Sequence, residues 1–160
     1  MNTIPSAMAV AAVALLVVAA GCSSRAGMQP VAPTVVAAGA PADDGVPCPA
    51  KDDGMKGPMT LYVDVQYAVD GTPSAVQDPC YVTSGATVVW RDPADRTTAF
   101  NLVFTNKATR AKVAKLAATR VAARYKVPAT ITGAPGQEFK YGIQANGKTV
   151  DPAVIIKRAQ

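Results

Sequence analysis

Thr60-Leu61-Tyr62-Val63-Asp64-Val65-Gln66-Tyr67 alternates without interruption. Leu61, Val63, Val65 and Tyr67 share one face, and Thr60, Asp64 and Gln66 share the other. A period of two, carried by β-branched and aromatic residues, marks a strand with one side in a core and the other in water. Asp70-Gly71 closes it with a turn. The same reading extends outward. Tyr81 to Thr83 and Thr87 to Trp90 flank Ser84-Gly85, Asp92-Pro93-Ala94-Asp95 is a turn, and Phe100, Leu102 and Phe104 alternate. Further on, Phe139, Tyr141 and Ile143 alternate ahead of the hairpin signal Asn146-Gly147, and Ala153 to Lys157 is a last short apolar run. Several short strands with turn punctuation predict a mainly β domain over residues 48–160, a small Greek-key-type β-sandwich.

One segment breaks the pattern. Asn106 to Tyr125 (NKATRAKVAKLAATRVAARY) is rich in Ala, free of Gly and Pro, and followed by Pro128. These features predict one inserted helix over about 106–126. Its basic residues have no acid among them. At helical spacing Lys112, Lys115 and Lys126 fall on one side, with Val113, Ala117 and Val121 on the other. A solvated surface helix accounts for this, and so does a cationic recognition face for an anionic envelope component or acidic protein; exposed helices usually mix both signs.

Ser84 to Trp90 followed by Phe100 to Phe104 resembles the middle strands of the cupredoxin fold, and Phe139 to Ile143 with Val154 to Ile156 resembles its last two. The resemblance implies a cupredoxin-like sandwich. It also implies copper ligands of two His, a Cys and usually a Met; here Gly142 lies near where the Cys would fall and the chain has no histidine.

Upstream, Ala7 to Gly21 is an unbroken apolar run, too short for the roughly 20 residues of a spanning helix and suited to a signal-peptide core. Ala19-Ala20-Gly21-Cys22 resembles the lipobox of bacterial lipoproteins, which implies cleavage after residue 21 and a lipid on the Cys22 thiol, although Met1 to Ser6 carries no Lys or Arg and Leu is usual where Ala19 stands. Ser23 after the cysteine resembles the outer-membrane default. Residues 22–47, with Pro30, Pro33, Pro41 and Pro47 among many Ala and Gly, read as a flexible tether. With Cys22 assigned to lipid, Cys48 and Cys80 remain, and export to an oxidising compartment makes them a disulfide.

Chemistry is sparsely represented. The absence of histidine removes the commonest general base and metal ligand. Ser74 and Ser84 have no evident activating base, and Asp64, Asp92 and Asp95 read as turn or exposed-face acids. Met55 and Met59 offer two sulfurs, too few for a copper site, while Asp43-Asp44 and Asp52-Asp53 read as solvated charges. No catalytic residue, metal or cofactor is expected. A net charge of +5 is too small to argue for nucleic acid. The expectation is a non-enzymatic envelope lipoprotein, with an inhibitor or immunity protein against a secreted hydrolase as the first alternative and a carboxylate-based hydrolase as the second.

Overall fold

The computed structural model describes residues 32–41, 44–51 and 57–156. The apolar leader, Cys22, Asp43, Asp52, Asp53, Met55 and Lys157 lie outside them. The chain forms a β-sandwich of two mixed sheets. Its strands are β1 (Thr34–Ala37), β2 (Val46–Pro47), β3 (Thr60–Tyr67), β4 (Pro73–Ala75), β5 (Cys80–Val82), β6 (Ala86–Arg91), β7 (Asn101–Asn106), β8 (Lys112–Ala117), β9 (Thr119–Val121), β10 (Arg124–Thr132), β11 (Glu138–Ala145), β12 (Lys148–Val150) and β13 (Ala153–Ile156). Sheet I runs β1-β10-β6-β3-β2, with β9 on β10 and β4 on β3; sheet II runs β5-β13-β11-β7-β8, with β12 on β11.

The alternation seen in the sequence sets the packing. Leu61, Val63 and Val65 of β3 point into the core beside Val88 and Trp90 of β6, and Leu102 and Phe104 of β7 face them beside Phe139, Tyr141 and Ile143 of β11. Trp90 of sheet I meets Phe104 and Tyr141 of sheet II edge-on, at centroid distances of 5.3 and 5.2 Å. Such pairs add about 0.5–1.5 kcal/mol each beyond simple burial. Burial pushes the Tyr141 phenol far up, with the Trp90 indole opposing the rise.

The open sides of the sandwich are closed differently. On one, the Cys48–Cys80 disulfide joins the end of β2 to β5, at a Cα separation of 5.4 Å. On the other, Ala37, Ala38 and Ala40, at and beyond the end of β1, lie against Lys115, Leu116 and Ala117 of β8.

Two expectations are corrected. The helix over 106–126 does not form: the segment is the end of β7, a turn, β8, β9 and the start of β10. Tertiary pairing overrides the helical propensity of alanine. β7 needs a partner for its free edge, and β8 supplies one with Leu116 opposite Leu102 and the small Ala114 opposite bulky Phe104. The turns use αL backbone at Arg110 and Ala122, and Asn106 Oδ1 accepts from the backbone N–H groups of Ala108 and Thr109. Pro128, which reads as a helix stop, sits inside β10. Its carbonyl accepts from Ala38, just past the last β1 rung, so the missing N–H costs the ladder little.

The tether boundary at residue 47 is also too late. β1 pairs antiparallel with β10 and buries Val35, while β2 pairs parallel with β3. Asp44 is anchored rather than solvated. Its Oδ1 lies 2.7 Å from Lys126 Nζ and its Oδ2 3.2 Å from Arg91 Nη1.

Candidate functional site: a lysine face on sheet II

β7, β8 and β11 together build an outer face on sheet II. Lys115 lies opposite Val103, which lies opposite Gly142; Lys112 lies opposite Thr105, which lies opposite Lys140. Lys112 and Lys115 are three residues apart, a spacing that puts side chains on opposite faces of a regular strand. Here the register shifts between Phe104 and Thr105, so that Ala114 pairs with Phe104 and Lys112 with Thr105. This bulge leaves Val113 as the extra residue and turns both lysines outward. Two strand spacings separate Lys112 from Lys140, about 10 Å.

Beside these lysines runs a shallow trough of about 530 Å³, walled by Val103, Thr105, Lys140 and Gln144 with Thr149 and Asp151 on the far side. Gly142 forms its floor. A Cβ there would meet Thr149 Cγ2 at 3.1 Å and Asp151 Oδ1 at 3.2 Å. The position the cupredoxin resemblance offers for a ligand cysteine therefore points away from the core, because the flanking Tyr141 and Ile143 point into it.

Lys140 Nζ lies 3.6 Å and Lys107 Nζ 2.7 Å from the two oxygens of Glu138, so two lysines share one carboxylate. Among the described residues Lys112 and Lys115 form no ion pair, and both are exposed. Lys126, placed with them at helical spacing, belongs to sheet I instead. There Lys126, Arg91 and Asp64 form a cross-strand row, Arg91 Nε lies 2.6 Å from Asp64 Oδ1, and Asp44 bridges Arg91 and Lys126. Burial pushes the Asp44 carboxyl up, but the hydrogen bonds and charges of Lys126 and Arg91 outweigh it and hold the group below the ordinary carboxylate range.

A second polar cluster went unread in the sequence. Asp92, which reads as a turn acid, is buried; Oδ1 accepts from the backbone N–H of Tyr125 at 2.7 Å and Oδ2 has no partner among the described residues. Burial raises its pKa against the opposing Tyr125 hydrogen bond and the charges of Arg96 and Arg124. Arg96 stacks 3.7 Å above the Tyr67 ring and Arg91 3.5 Å above Tyr62. These cation–π stacks align guanidinium groups along sheet I, and a run of isolated Tyr and Arg residues carries no pairing signal.

The lysine face has no counterpart from which a role can be transferred: no family model matches this chain, and neither a curated protein nor a solved structure does.

Proposed function

We propose that this chain is a lipid-anchored, non-enzymatic envelope protein whose cupredoxin-like sandwich holds an anionic partner against the outer face of sheet II. The observation that carries this reading is the β8 bulge, which sets Lys112 and Lys115 side by side, without carboxylate partners among the described residues, next to Lys140 and the Gly142 trough. Exposed lysines contribute little to stability, whereas a clustered positive field speeds association with an opposite charge. Anchorage rests on the lipobox resemblance ending at Cys22.

Two measurements test the halves separately. Metabolic labelling with a palmitate analogue should mark the protein, and Cys22→Ser should lose label and cleavage together; a labelled variant ends the anchor reading. On a polyphosphate matrix, Lys112→Glu/Lys115→Glu should elute at clearly lower salt than the parent, with an unchanged melting temperature. Equal elution of a folded variant ends the binding reading.

The inhibitor alternative draws on a different feature. Val69 stands fully exposed at the tip of the β3–β4 hairpin. That hairpin is stiffened by Lys148 Nζ, 2.6 Å from Asp70 Oδ2, and by Asn146 Nδ2 donating to the Gly71 carbonyl at 3.0 Å. Under that reading Val69→Asp abolishes capture of a secreted hydrolase while the lysine reversals leave it intact.

A further inference from the structure

We infer that the end of the sandwich bearing Lys107, Arg110, Lys112 and Lys140 docks onto the anionic lipid headgroups of the membrane to which the chain is tied. The inference rests on the anchor reading above and names the anionic partner as the headgroup layer itself.

The strand pairings decide which end of the domain faces the anchor. β1, the first described strand, enters at Thr34, opposite Thr132 at the end of β10. From Thr132 the chain passes directly into the loop at Gly136 and Gln137, which with Asn106, Lys107, Ala108 and Glu138 lines a depression of about 470 Å³. The last described strand ends here too, since Ile156 exchanges backbone hydrogen bonds with Gly136 and Gln137. The β7–β8 turn, which carries Lys107 and Arg110, closes this same end, and Lys112 and Lys140 are the first lysines along the outer face beyond it. Among the described residues Glu138 is the carboxylate paired with Lys107 and Lys140, and Asp151 lines the trough beside Lys140.

The opposite end mixes signs, with Asp70 and Asp95 among Arg96, Arg120, Arg124 and Lys148. A field with one dominant sign thus sits where the anchored segment arrives. Ala32 is ten residues beyond Cys22, and ten residues reach at most about 36 Å when fully extended. The leash is therefore short enough to keep the basic end close to the headgroups, where each Lys or Arg gains from an anionic surface within roughly one Debye length, about 8 Å at physiological salt. A lipid chain together with a basic patch makes a two-signal attachment.

The test uses the full chain, expressed with its leader, purified in detergent and reconstituted into vesicles of phosphatidylcholine alone or mixed with phosphatidylglycerol. One fluorophore is placed at Ala108→Cys in the β7–β8 turn, another, in a separate sample, at Val69→Cys at the far end, and energy transfer to an acceptor lipid is measured. Flotation on both compositions is expected. On phosphatidylglycerol vesicles transfer from Ala108→Cys should exceed that from Val69→Cys, and the excess should vanish at about 1 M salt, where the Debye length is about 3 Å. Arg110→Glu/Lys112→Glu should lose it at low salt. Flotation on both compositions with equal transfer from the two labels overturns the docking alone. Flotation on phosphatidylglycerol vesicles only, with the Ala108 bias retained, keeps the docking and removes the anchor. Flotation on neither overturns both.

Discussion

Asp44 and Lys126, 82 residues apart, meet at 2.7 Å across the outer face of sheet I. The side chains are 13% and 17% exposed respectively, and Arg91 completes the group on the other carboxylate oxygen. The pairing ties the segment before β2 to the start of β10 and makes residues ahead of Cys48 part of the folded domain. Asp44→Asn should cost about 1–3 kcal/mol at neutral pH, because it leaves the partly buried Lys126 without its carboxylate and Arg91 with Asp64 alone. The folded-state pKa of Asp44 is depressed, so this stability is present above the ordinary carboxylate pKa and is lost as pH falls through the folded value. Thermal melts of parent and variant should therefore differ at pH 7 and converge in acid; a constant difference across that range counts against the assignment.

Ala122 offers a test of strand against helix with opposite signs. It has φ +54° in the two-residue turn between β9 and β10. An L-residue there carries roughly 1–2 kcal/mol of strain that glycine escapes. Ala122→Gly should thus raise the unfolding free energy by about 1 kcal/mol in denaturant titration. The same change inside a helix would lower it by about 1 kcal/mol.

The β8 bulge predicts a sharp contrast between neighbours. Lys115→Glu changes an outward side chain and should shift stability by no more than about 0.5 kcal/mol. Leu116→Asp places a charge against Leu102 and the core and should cost about 2 kcal/mol or more. Comparable midpoints in urea for the two variants would refute the face assignment.

For Asp92 the sign runs opposite to that of Asp44. Its pKa is raised by burial, so the ionised group opposes folding at neutral pH, and the penalty disappears as pH falls through the raised value to about pH 4 and below. Asp92→Asn keeps an acceptor for the Tyr125 N–H and removes the buried charge. The variant should melt higher than the parent at pH 7, with the advantage shrinking to nothing in acid.

Reduction of Cys48–Cys80 releases a cross-link between residues 32 apart in sequence, worth roughly 3–4 kcal/mol in the chain-entropy picture. Calorimetry should show a melting temperature about 10–20 °C lower with reductant, or in Cys48→Ala/Cys80→Ala. No measurable shift would mean that the bond does not hold the sheets together.

Local alternation by itself determined most of the framework. β3, β6, β7 and β11 are legible because each buries one face, so their inward residues recur at every second position and carry the signal within a few residues. The Asn146-Gly147 turn is legible because left-handed backbone needs particular residues. Cys48 and Cys80 pair as the elimination of Cys22 implies. What the sequence left undecided lies where partners are distant. Alanine is small enough for either a helix or an edge strand, and the choice for residues 112–117 came from the free edge of β7. β10 alternates Val127, Ala129 and Ile131 inward, yet Pro128 masks the pattern unless its missing N–H is known to fall past the end of β1. From the sequence Asp44 reads as a solvated charge and Asp92 as a turn acid, because burial of a charge depends on the partner that meets it, and Lys126 and Tyr125 come from far along the chain. The pairing of Lys112 with Lys115 on one face depends on a single bulge, a property of two strands together that neither strand encodes alone.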